Sequence, residues 1–278
     1  MSLATLPLAI VLSGLLAFSQ WLNSPTPRIP RTADGKPNLA APAPRAPDGR
    51  PDLSGVWQIE STPREEMNRL FGAAVAPQAL GDDPSTFSKY MINILADHNG
   101  DDSLLLPEAA DLYKKRRAST RIDRPMANCL PAGVPHAELL PRPFRIIQSR
   151  DMIAILHEGD GSFRQVHLDG RKHPPDPTPA WLGYSVGKWE NDALVVDTVG
   201  FNDRTWLDVM GHPHSEALRV QERFRRRDFG HLDVQVTIED PKTFVKPFTI
   251  RFTERLVADS DILEYVCAEN ERDRAHVR

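Results

Sequence analysis

The chain is poor in cysteine, with two in 278 residues, and it has no apolar run long enough to cross a bilayer. So few thiols cannot make a disulfide-dense scaffold, and Cys129 and Cys267 stand in neither a CxxC pair nor a His-containing metal spacing. An excess of one charge is also missing. Lys+Arg 34 against Asp+Glu 38 gives a net charge of −4, too little to build a phosphate-tracking surface, so nucleic acid is not expected as a partner. There is no G-x-S-x-G elbow, no Gly-rich phosphate loop and no dinucleotide fingerprint, which argues against nucleophilic-serine and nucleotide chemistry; no cofactor is expected.

What is present begins with a short apolar run, Leu6 to Phe18, of signal-peptide rather than membrane-span length, followed by the small-residue pattern Ala17-Phe18-Ser19. No Lys or Arg precedes it, which leaves an uncleaved anchor as the rival to a signal peptide over residues 1–19. The expected location is periplasmic or secreted, with membrane contact only through that segment if it is retained. In such a compartment Cys129 and Cys267 read most simply as one disulfide, against two separate buried thiols. Neither has a neighbouring His or basic cluster to make it a reactive thiolate.

Proline is abundant and concentrated between residues 20 and 51, where DGKPNL (Asp34–Leu39) returns as DGRPDL (Asp48–Leu53). The composition predicts an extended tether ahead of a single domain over residues 52–278. From about residue 63 to 120, charged and apolar residues at three- to four-residue spacing predict two or three helices, broken at Gly81–Ser85 and His98–Asp102. After Pro143 the period becomes two. Strands are expected at Asp52–Trp57, Phe144–Ser149, Met152–Glu158, Ser162–Leu168, Tyr184–Glu190, Ala193–Val199, Ala217–Arg226, Leu232–Glu239, Phe248–Val257 and Ile262–Cys267. Gly159-Asp160-Gly161, Asn191-Asp192 and Asp228-Phe229-Gly230 supply hairpin residues that tolerate positive φ. The pattern predicts a mainly β protein, an antiparallel meander closing into a lipocalin-like barrel with a small helical insertion; a β-sandwich is the alternative.

The stretches DGRPDLSGVW, Trp181–Asp208, Gly211–Pro241 and Ile262–Asn270 resemble a large family of exported proteins, many from soil bacteria, over about half the chain. The resemblance implies export and a shared β-rich domain, and it carries no reaction. Leu182 and Phe248 stand where the family pattern has an aromatic and a Trp, both apolar changes.

Alternation also sorts each strand into faces. Glu222 falls among Leu218, Val220 and Phe224; Glu254 among Ile250, Phe252 and Leu256; Asp197 among Ala193, Val195 and Val199. Inward carboxylates are costly unless paired or protonated, and a lumen holding a polar ligand would explain them; pairing with Arg164, or solvation at a strand end, is the plainer reading. The loop group Asp176, Trp181, Trp206, Asp208 and His214 combines two indoles with a possible acid–base pair, Asp208 and His214. Ser185 and Arg164 join Trp181 and Trp206 as candidate substrate contacts. No metal is expected; were one bound, His173, His212 and His214 would be its ligands. The run Arg223–Arg227 reads as the solvated face of a strand. The expected function is cofactor-free acid–base catalysis (hydrolase, lyase or isomerase) on a small polar or aromatic molecule, with Glu222, His214, Asp208 and Asp176 as catalytic groups. The alternative is a non-catalytic binding barrel.

Overall fold

A computed structural model describes residues 25–72, 87–98, 102–119 and 123–267. The expected signal segment and the Gly81–Ser85 break lie outside the described residues. Nine strands form one closed barrel. They are β1 Gly55–Ile59, β2 Phe144–Gln148, β3 Met152–His157, β4 Phe163–His167, β5 Tyr184–Glu190, β6 Ala193–Val199, β7 Arg219–Arg226, β8 His231–Glu239 and β9 Phe248–Leu256. Neighbours in sequence are neighbours in the sheet, and β9 returns to β1.

Parity shapes this barrel. A ring whose neighbours all ran antiparallel would need an even number of strands, so a ring of nine must contain a parallel pair. That pair is β4 with β5, joined only at Val166↔Ser185 and His167↔Val186, and it departs from the expected all-antiparallel meander. The proline-rich connection after β4 therefore has to run back along the barrel before β5 starts.

Ile262–Cys267 is not a strand. Leu263, Tyr265 and Val266 are exposed, and the segment is held by Leu263 N donating to Glu158 and by the Cys129–Cys267 disulfide, with Cα atoms 5.5 Å apart. The disulfide suggests a location outside the cytoplasm. Among the described residues no helix is long and apolar enough to cross a membrane.

The helical insertion holds α1 Arg64–Phe71, α2 Lys89–Ile92 and α3 Pro107–Ala118, with a fourth short helix, α4 His136–Leu139, after it. All four residues of α4 are buried, and it delivers Glu138 to the barrel interior.

Residues 25–51, expected as an extended tether, instead form two copies of one turn laid against the barrel. In the first, Thr32 N donates to Lys36 O and Asn38 N to Pro30 O; in the second, Ala46 N donates to Arg50 O and Asp52 N to Pro44 O. Gly35 and Gly49 take the same left-handed backbone at φ 80° and 83°. Each turn ends on a leucine anchor: Leu39 packs on the core, and Leu53 is buried with its carbonyl accepting from the Trp57 indole N–H. Gly230, expected to serve a positive φ, does not have one. Its missing side chain makes room for the strap instead, since a Cβ there would lie 2.4 Å from that of Leu39.

Candidate functional site

The inward faces of the strands are mostly apolar, and the exceptions gather around Arg164 on β4. Its guanidinium is buried and fully occupied. Nε donates to Ser185 Oγ (3.0 Å) on β5 and Nη2 to Thr198 Oγ1 (2.8 Å) on β6. Both Nη groups reach the Glu222 carboxylate on β7, and Nη1 also donates to Glu138 Oε1 (3.1 Å) on α4. His157, inward on β3, lies with Nε2 3.4 Å from the same Glu138 oxygen and Nδ1 3.2 Å from Ser162 Oγ.

One cation is thus shared by two buried carboxylates. Burial opposes ionisation of both, but His157 adds to Arg164 at Glu138 and holds that carboxyl below the usual range. Burial lifts Glu222 above it in spite of Arg164. Arg164 itself is driven further toward its charged form, because the two carboxylates outweigh its burial.

Glu254 is different in kind. It faces inward from β9, across from Leu232 and Ile59, is 0 % exposed, and neither of its oxygens has a hydrogen-bond partner among the described residues. Burial, reinforced by the charges of Glu138 and Glu60, pushes its pKa well above the carboxylate range and so favours the neutral acid. Glu138 Oε2 is also buried without a donor. Two carboxyls pushed in opposite directions therefore lie within each other's electrostatic reach, with three oxygens that have no partner among the described residues.

Glu222 and Glu254 point inward as their alternation predicts, and Arg164 and Ser185 belong to the same cluster. Asp197 does not. On β6 it is Leu194, Val196 and Thr198 that align with inward Phe224, Glu222 and Val220, so Asp197 faces out, where it accepts from Arg219 (2.7 Å) and contacts His173 (3.0 Å). Ala193–Val196 is apolar and buried on both faces, which erases the alternation that would have shown this.

The loop constellation is not assembled. Asp208 takes His212, not His214: Nδ1 lies 2.5 Å from Oδ2, and the backbone N–H groups of Ile94, Gly211 and His212 also donate to this carboxylate. His212 is stacked on Tyr113 of α3 with ring centres 4.1 Å apart, and the Asp208 charge raises it to about 9 against its burial. This is a staple joining the 203–216 loop to the helical insertion. His214 bonds Thr205 Oγ1 (2.5 Å) and Ser215 O, and burial lowers its pKa. Asp176 is exposed. Trp181 and Trp206 lie under separate guanidinium groups, Arg204 at 4.8 Å and Arg116 at 4.9 Å. His173, His212 and His214 have separate partners, and no group of three or more His, Cys, Asp or Glu among the described residues could hold a metal ion.

Sequence reasoning missed Glu138 and His157. His157 follows Ile153 and Ile155 on the inward face of β3, a period-two signal that could have found it. Glu138 is a lone acid in the apolar run AELL, with nothing local to aim it at Arg164. No protein-family model, curated protein or solved structure matches the chain.

Proposed function

We propose that this is an exported, periplasmic or secreted barrel that performs cofactor-free acid–base chemistry on a small polar molecule at its lumen. Glu254 is the proton donor, Glu138 the base, and Arg164, with Glu222 and His157, orients them. The observation that supports it is a pair of buried carboxyls with three oxygens unpartnered among the described residues, one carboxyl pushed up and the other down from the usual range. Environments that push two neighbouring acids apart in pKa are how folds assign an acid and a base. The groups first expected to titrate, Asp208, His214 and Asp176, have structural or solvent roles in this scheme, and Trp181 and Trp206 stand outside it. A non-catalytic binding barrel is the second reading, favoured by enclosure: Arg164, Glu138 and Glu254 are at most 3 % exposed.

The test is native mass spectrometry of wild type and Glu254→Gln purified from the periplasm with their own N-terminus. A mass cleaved near Ser19, carrying a small organic molecule that Glu254→Gln loses, supports the site. Turnover of that molecule in excess selects catalysis, and unchanged retention selects binding. An uncleaved chain overturns export, and identical, empty lumens in both proteins overturn the site.

A further inference from the structure

Outside the barrel, the N-terminal strap roofs a second cavity that plays no part in the lumen reading. It has a volume of about 510 Å3 and lies between residues 26–29 and 44–45 of the strap and the strands β1 and β2, with Arg226 and Leu256 from the last residues of β7 and β9. That is within the size range of small-molecule sites, roughly 300–1,000 Å3. Two features of its lining stand out. The first is an apolar wall of Val56, Phe229 and Ile147: Val56 is buried and Phe229 half-buried, but Ile147 is 49 % exposed although it lies in a strand.

The second is unanswered positive charge. Four arginines line the cavity, Arg28, Arg45, Arg145 and Arg226, against one carboxylate, Asp52, which already accepts from Ser54 N. Arg45 and Arg145 are answered from elsewhere, by Asp192 and Asp261. Arg28 has no hydrogen bond or ion pair among the described residues. Arg226 is buried, with its guanidinium between the rings of Trp57 and Phe229 at 4.9 and 5.1 Å. It donates only to backbone carbonyls, those of Asp52, Ser54, Asp228 and Phe229, and forms no ion pair with a described carboxylate. Burial costs this cation more than the nearby charges of Asp52 and Asp228 return, and its pKa falls to about 10. A bound anion would relieve that cost.

We propose that this strap-roofed cleft binds a small organic anion with an apolar body, of the long-chain carboxylate class. The acidic head lies among the arginines and the hydrocarbon against Val56, Ile147 and Phe229. The site is separate from the lumen and does not depend on what the lumen does. It also gives the repeated turn a purpose, since the second turn supplies Pro44 and Arg45 and the chain before the first supplies Arg28 and Ile29.

The probe is laurate, kept below its micelle concentration and titrated calorimetrically into the full-length protein, with dodecyltrimethylammonium as the same chain bearing the opposite charge. Laurate is expected to bind one per chain and the cation not at all. Arg28→Asn suits the positive φ of 71° at that position and should weaken laurate roughly two- to fivefold. Ile147→Asp, at an exposed position, should weaken it by roughly tenfold or more. Thermal melts of both variants matching wild type confirm that folding is intact. Absent laurate binding overturns the proposal, as does equal binding of the cationic chain or laurate affinity unchanged in both variants.

Discussion

Glu254 offers the sharpest test of the lumen, because a carboxyl that bonds nothing should destabilise the fold by an amount that depends on pH. Its folded pKa is raised well above the ordinary 4.5. The sign follows from proton counting: below pH 4.5 both folded and unfolded chains hold the proton, and above it only the folded chain does. Stability is therefore lost as pH rises from 4.5 toward the folded pKa, by about 1.4 kcal/mol per pH unit. The missing hydrogen bonds of Glu254 add a cost of about 1–3 kcal/mol at any pH.

Two substitutions separate these terms. Glu254→Gln removes the titration but keeps an unsatisfied polar group, so it should gain stability above pH 4.5, at about 1.4 kcal/mol per pH unit up to the folded pKa, and nothing below pH 4.5. Glu254→Met, a similar length without the polar head, should add the second term and remain more stable than wild type at both. Urea unfolding of the three proteins across this range measures the difference directly. Equal pH slopes for wild type and Glu254→Gln would refute a buried, protonated Glu254. The expected gain runs opposite to most core substitutions, and a stabilising loss of an acid is what a site held for function predicts.

Arg164→Met should cost about 3–5 kcal/mol in urea unfolding at neutral pH, because Glu138 and Glu222 lose their shared cation, and adding Glu222→Leu should recover part of it. His212 is raised from 6.5 to about 9, so its stabilisation is complete below pH 6.5 and lost as pH rises through 9. The loss amounts to about 3 kcal/mol over that interval, and His212→Gln should flatten it in the same assay. Gly230→Ala drives a Cβ into Leu39 and should cost about 1–3 kcal/mol, seen as faster proteolysis within residues 25–51 while the barrel stays intact.

Much of the barrel was legible because period-two alternation survives wherever one face is wet. On β7 and β9 a single Glu interrupts an apolar face, and both point inward. The same rule failed on β6, where both faces are covered, and at Ile262–Cys267, whose apolar spacing looks like a strand but whose side chains are exposed. There the structure is supplied by the disulfide, a constraint that propensity does not encode. The loop site was less legible. Asp208 has two histidines within six residues, and the choice between them is made by tertiary contacts, Tyr113 stacked on His212 and Thr205 bonded to His214. The repeat DGKPNL/DGRPDL was visible, but not that its leucines dock.

Topology separates the part of the lumen that has a structural explanation from the part that does not. The parallel β4–β5 seam is short, paired at two positions, and it is the seam that the odd strand count imposes. Arg164 reaches across it: from β4 its guanidinium bonds Ser185 on β5, Thr198 on β6 and Glu222 on β7, linking by side chains a region where the backbone ladder is thinnest. Those residues, and the Glu138 and His157 contacts beside them, have an architectural reason to be where they are. Glu254 has no such reason among the described contacts. It bonds no strand, answers no cation and lies beside Leu232 and Ile59, where a hydrocarbon side chain would serve the fold better. Among the charged groups of the lumen, Glu254 is the one for which the barrel supplies no structural reason, so the functional reading depends on it more than on Glu222 or Arg164.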